Sequence, residues 1–204
     1  MKLKEALNEL KKEEKKKFEQ SVDLIVNLKG IDLKRDQVNI VVNIPHKIKE
    51  KKVCGFFSAK TKLVDSITEP EFAKYKDKKA LKNLVRDYDY FISTPGLMAK
   101  VATAFGKVLG PVGKMPSPQL GIIGQENENA IKNELGKIEK AIKIRLKEPS
   151  IKVLAGRENM KDEEIVQNIE SIYNAIINAL PKKKENVRNV MIKLTMGKPI
   201  RVEI

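Results

Sequence analysis

The chain has 204 residues with 41 Lys and Arg against 27 Asp and Glu, a formal net charge of +14. Such an excess repels itself in a folded protein, so a polyanionic partner, nucleic acid first, is the natural reason to keep it; the plainer reading is a lysine-rich solvated surface. The single Cys54 excludes an internal disulfide, no apolar run approaches the ~20 residues of a bilayer helix, and the charged N-terminus has no apolar signal core, so a cytoplasmic protein with no membrane partner is expected.

Residues 2–17 place Leu3, Ala6, Leu7 and Leu10 at helical spacing, which predicts an amphipathic helix. From Ser21 the period becomes two: Val22, Leu24, Val26 and Leu28 point one way, Ser21, Asp23, Ile25 and Asn27 the other. Lys29-Gly30-Ile31-Asp32 turns the chain into a second strand, Val38, Ile40, Val42 and Ile44, that Pro45 stops. The middle has another rhythm. Short apolar runs at Val53 to Phe57, Tyr90 to Ile92 and Ala141 to Leu146 alternate with helical patterns at 78–87, 97–108 and 127–138, as in a small parallel α/β sheet. Pro95-Gly96 and the stretch from Gly110 to Gly124 read as turn or loop. After Pro149 the first rhythm returns. Ile151, Val153 and Ala155 alternate, and Asp162 is placed to cap a helix carrying Ile165, Ile169, Ile172 and Ile176. Val190, Ile192, Leu194 and Met196 alternate again before Ile200, Val202 and Ile204.

Neither end segment can bury its strands alone, whereas together they supply about four strands and two long helices. The expected fold class is an α+β split domain, residues 1–48 with 149–204, with an inserted α/β domain at 49–148. The two crossings, near Lys47 and Pro149, would form a hinge.

Catalytic chemistry is scarce. His46 is the lone histidine, beside Pro45 at a strand end, and suits a structural or RNA-contacting role better than a general base. One Cys and one His cannot make a nucleophilic pair plus a metal site, so no catalytic residue, metal or cofactor is expected. The stretch Gly106 to Pro116 fails as a phosphate-binding loop, because Val108 stands where a glycine is needed and Met115 follows Lys114 in place of Ser or Thr. Gly55 has no companion glycines for a dinucleotide fingerprint. A nucleotide-binding α/β enzyme remains the rival from another class. The residues suited to reading RNA are Ser21 and Asp23 on one strand and Met191, Lys193 and Thr195 on another, with Gly197 following. Phe18, beside Lys17, is either a packing plug or a stacking platform.

Five motifs occur in register: Lys17-Phe18-Glu-Gln-Ser21-Val-Asp23-Leu, Gly30-Ile-Asp, Ile44-Pro45-His46, Leu109-Gly-Pro-Val-Gly-Lys-Met-Pro116 and Lys193-Leu-Thr195-Met196-Gly197. Almost end to end they resemble the universal large-subunit ribosomal protein of the side stalk, the first of the large-subunit series, in its archaeal form. That resemblance implies a split α+β domain with a Rossmann-like, three-layer insertion, and binding of stalk-region rRNA beside the tRNA exit site. It also implies help in releasing deacylated exit-site tRNA, repression through the protein's own mRNA, and a monomer off the ribosome. The family's rRNA contact carries over onto Lys17, Phe18, Ser21, Asp23, Lys193, Thr195, Met196 and Gly197, with a secondary contact onto His46, Lys107, Gly113 and Lys114. Two departures stand out: Val112 replaces the usual Arg of the glycine-proline loop, and Ser58 to Glu69 is too short for a full helix and strand. A free RNA-binding repressor that never enters the ribosome would present the same face.

Overall fold

The computed structural model describes residues 1–12, 17–33, 35–36, 38–75 and 77–204. Helix α1 (Leu3–Lys12) buries the whole predicted stripe, Leu3, Ala6, Leu7 and Leu10. The expected continuation toward residue 17 crosses 13–16, which lie outside the described residues. Strand β1 (Ser21–Leu28) alternates strictly, with Val22, Leu24, Val26 and Leu28 buried. Strand β2 is Asn39–Asn43.

The next elements build a small parallel sheet from β3 (Val53–Phe57), β4 (Asp65–Thr68) and β5 (Tyr90–Ser93), in the order β4-β3-β5. Helices α2 (Lys78–Asp87), α3 (Pro95–Val112) and α4 (Glu128–Lys140) accompany it. Phe56 stacks on Phe91 at 5.6 Å between ring centroids and meets Phe105 of α3 at 4.9 Å. Phe57 and Ile92 alternate to the other face and are equally buried, which is why these strands read as unbroken apolar runs.

One expectation holds in this region and two change. Residues 58–69 hold a strand but no helix: the chain returns from β3 to β4 directly. Gly110, Pro111 and Val112, read as turn, finish helix α3, which ends at Gly113 in the left-handed conformation (φ 80°). Ala141 to Leu146, read as a third strand of the middle sheet, forms β6 (Ala141–Arg145) and pairs antiparallel with β2, Ile144 opposite Ile40 and Ile142 opposite Val42. A short apolar strand carries no signal of its partner, so periodicity could not assign it.

Strand β7 (Ser150–Arg157), helix α5 (Asp162–Ala179), β8 (Val187–Leu194) and β9 (Ile200–Val202) complete the chain. The sheet order β7-β1-β8-β9 puts the N-terminal strand between two C-terminal ones, and this pairing makes the chain ends one body. The stripes of α1 and α5 pack with the inward residues of this sheet in one core. Asp162 is the first residue of α5, not its cap; its carboxylate pairs with Lys11, and with Glu163 and Glu164 it places negative charge at the positive end of the helix dipole. The described chain divides into two compact units, Met1–Ile48 with Lys140–Ile204, and Lys49–Glu139. The first unit thus takes in residues 140–148, which the sequence reading gave to the middle.

Cys54 is fully buried in β3, and burial pushes its thiol up to about 12. The folded protein should therefore resist a thiol reagent at pH 8, with labelling appearing only as Lys49–Glu139 unfolds. Labelling of the native protein within the mixing time would contradict this burial.

Candidate nucleic-acid interface

The face of the four-stranded sheet opposite α1 and α5 carries Ser21, Asp23, Ile25 and Asn27 from β1 and Asn189, Met191 and Lys193 from β8, all half-buried. Register sets Asp23 opposite Lys193, Ile25 opposite Met191 and Asn27 opposite Asn189. Asn27 Nδ2 donates to Asn189 Oδ1 at 2.7 Å. Burial raises the Asp23 carboxyl above its ordinary range, against the pull of the Lys193 ammonium and a hydrogen bond from Ser21.

At one end of this face β8 stops at Leu194, and Thr195 and Met196 enter a turn closed by the Gly197 N–H on Leu194 O at 3.0 Å. The turn is pinned to β1. Thr195 N–H donates to Ser21 O at 3.1 Å, Ser21 N–H donates to Thr195 Oγ1 at 3.0 Å, and the two hydroxyl oxygens lie 2.9 Å apart. Met196 N–H donates to Oε1 of buried Gln20 at 3.2 Å. Held in this way, the turn projects Met196, which is 69% exposed, while Phe18 is 51% exposed. Of the two readings open for Met196, alternating inward or lying past the strand's end, the second holds, because β8 ends at Leu194. Phe18 is not a packing plug. Exposed apolar side chains and ordered hydroxyls are the kinds of group that stacking and base-edge contacts use.

The secondary candidates divide between the units. His46 belongs to the first: its N–H donates to Asn168 Oδ1 at 3.0 Å and its ring Nε2 lies 2.6 Å from Gln167 Oε1. Lys107, Gly113 and Lys114 belong to the second. Lys107 is exposed on α3, as is Val112 at its end. Gly113 caps that helix, and the Lys114 ammonium donates to Val85 O at 2.7 Å and Tyr88 O at 2.6 Å, closing the C-terminal end of α2. Lys114 therefore has a structural task that its motif does not reveal.

Sequence reasoning gave no role to Gln20 or Asn168. Gln20 lay inside a quoted motif without a partner. Asn168 had a usable signal, since a polar residue at core spacing among Ile165, Ile169 and Ile172 must be satisfied from within.

Features that could serve an enzyme are otherwise engaged. After β3, where a nucleotide phosphate would be cradled, Glu126 accepts from the Ser58 N–H at 2.9 Å and its hydroxyl at 3.0 Å, placing a carboxylate where an anion would bind. Lys51, lowered to about 8 by burial, donates to Ile138 O at 2.8 Å and lies over the Tyr90 ring. Among the described residues no group of three His, Cys, Asp or Glu side chains could hold a metal ion.

The folded chain is thus a basic, mixed α/β protein whose ordered polar groups collect on a sheet face and the turn at its end. Residues 10–198 match the Ribosomal protein L1p/L10e family, and the chain belongs to it. It is 36% identical over 202 residues to the large ribosomal subunit protein uL1 of Korarchaeum cryptofilum, covering 90% of this chain and 85% of that protein. Identity is 35% to its namesake in Pyrobaculum calidifontis, covering 95% and 89%, and 34% to that in Pyrococcus horikoshii, covering 99% and 95%. The family is ribosomal and non-enzymatic, and the protein is not an enzyme.

Proposed function

We propose that the protein is a structural constituent of the large ribosomal subunit in the cytoplasm, binding stalk-region rRNA beside the tRNA exit site. In this reading the end-segment unit is the split α+β domain, and its open face with the Thr195-Met196-Gly197 turn is the rRNA contact. Lys17, Phe18, Ser21, Asp23 and Lys193 complete that contact. Lys49–Glu139 is then the inserted Rossmann-like domain, attending the exit-site tRNA as it leaves. The same face would bind a similar fold in the protein's own mRNA and repress its translation, with the protein monomeric off the ribosome.

One observation carries the reading: Met196 stands in solvent on a turn fixed by four hydrogen bonds to Gln20 and Ser21, and Phe18, two residues before Gln20, is exposed as well. Large apolar side chains kept in water on an ordered surface mark a place where a partner binds. The bonding also specifies what RNA can meet. Thr195 Oγ1 accepts from the Ser21 N–H; with the Ser21 hydroxyl proton given to Asp23, the Thr195 hydroxyl donates back to Ser21 and keeps one lone pair for a 2′-hydroxyl.

Thr195→Val keeps the side-chain shape and removes both this donor and the acceptor for Ser21 N–H. In the free protein water replaces them, so the melting temperature should change little. Against RNA the stranded groups should cost about 1–3 kcal/mol of affinity. Titration of both proteins with one stalk rRNA fragment at fixed salt checks this, and equal affinities would remove Thr195 from the contact. Co-sedimentation with purified large subunits at moderate salt separates a ribosomal component from a free repressor.

A further inference from the structure

At the end of the four-stranded sheet away from Thr195, two loops meet. One is the turn after β1 at Lys29-Gly30; the other joins α5 to β8. Asn186, buried and central, ties them. Its Nδ2 donates to Lys29 O at 3.0 Å and Gly30 O at 3.3 Å, its Oδ1 accepts from Lys182 N–H at 2.7 Å, and its own carbonyl accepts from Lys29 N–H at 2.7 Å. This stitching gathers Lys29, Lys182, Lys183 and Lys184, all exposed.

Two backbone irregularities add to the cluster. Lys183 has φ 49°, alone among the non-glycine residues described, in a region where Gly or Asn would be cheaper. Arg188 is in phase with Val190, Ile192 and Leu194, so a regular strand would aim it at the core. The register instead jumps from Asn27 opposite Asn189 to Leu28 opposite Val187, making Arg188 the extra residue of a β-bulge and leaving it exposed. None of these five cations makes an ion pair among the described residues, and Glu185 is the one acid in the loop that carries three of them.

We infer that this cluster is a second phosphate clamp for the same RNA, so that the RNA lies along the strands of the open face and not across one end of it. The inference rests on the rRNA-binding reading above. Between the Thr195 turn and the cluster, the face continues through Asp23–Lys193, Ile25–Met191 and Asn27–Asn189, the length of β1, roughly 23 Å at ~3.3 Å per residue. Five cations against one loop acid, at the far end of a face continuous with the RNA contact, match a polyanion in both charge and direction. The Thr195 end would then recognise, and the lysine end would hold the backbone and contribute salt dependence.

The test uses the full chain, a stalk rRNA fragment and the triple variant Lys182→Gln, Lys183→Gln, Lys184→Gln, whose exposed side chains leave the core intact. Three lost phosphate contacts should reduce the log–log salt slope by about 2.1–2.7 units. Raising salt from 50 to 200 mM should then weaken the wild type about 20- to 40-fold more than the variant. A backbone footprint should lose one of two separated protected stretches, while Thr195→Val lowers affinity without changing the slope. An unchanged slope and footprint would return the cluster to solvent, or to an acidic protein neighbour, and overturn the inference. A wild type that fails to bind the fragment would instead overturn the rRNA-binding reading itself.

Discussion

A chain in which residues 49–139 are replaced by a short Gly-Ser link should fold and still bind the stalk RNA fragment, within about tenfold of the full protein. Such a link is feasible because the two crossings adjoin: Asn43 pairs with Ala141, and the Ile44 N–H donates to Lys140 O at 2.8 Å. The retained unit keeps its own core, from Leu3 of α1 to Val202 of β9, and every residue of the proposed main contact. A deletion reaching residue 148 should behave differently. It removes β6, so β2 loses its pairing partner, and the core loses buried Ala141 and Ile144. Burying one Ile side chain is worth about 1.5–3 kcal/mol, so the longer deletion should be destabilised by at least that much relative to the shorter. Circular dichroism melts and RNA titrations of both deletions make the comparison. If the shorter deletion is unfolded, or folds without affinity, neither the independence of the end-segment unit nor the location of the RNA contact survives.

Asn168→Leu should cost about 3–5 kcal/mol and lower the melting temperature by on the order of 10 °C. Asn168 is fully buried, and all of its bonding is to backbone: Oδ1 accepts from His46 N–H at 3.0 Å, and Nδ2 donates to His46 O at 3.1 Å and Ala155 O at 3.1 Å. Leucine has the same branched skeleton but strands all three groups away from water, at about 1–3 kcal/mol each before relaxation. The position also has a functional side. Asn168 fastens the segment leaving β2, just before the chain crosses into the second unit, onto α5 and β7. Loss of that fastening should raise amide hydrogen exchange at His46 as well as lowering stability. Exchange at His46 no faster than in the wild type would mean that other contacts hold the crossing.

Much of this was legible because one-sided elements write their burial into their spacing. The inward residues of β1 and β8 recur every two positions, and Ile165, Ile169, Ile172 and Ile176 every three or four, so core and surface faces could be assigned from residue types alone. The candidate contact was legible for a related reason: the residues left on the outer face, Ser21, Asp23 and Lys193, are polar where burial would have required otherwise. The break between the two rhythms, near Lys47, was equally local.

What tertiary structure decided was partnership. Ser21 and Thr195 could each be named from sequence, but only the pairing of β1 with β8 makes their hydroxyls neighbours across 174 positions. Whether β6 joined the middle sheet or β2, and whether Lys114 met RNA or closed α2, depended on groups far away in the chain. Exposure of Arg188 turned on a single extra residue in one ladder, which reverses every side-chain direction beyond it. Periodicity reports the environment of a residue as buried or exposed, because that is an average over many neighbours. A hydrogen bond or a strand register is a choice of one neighbour, and for Ser21, Thr195 and Arg188 that choice was made when the chain's two ends closed into one sheet.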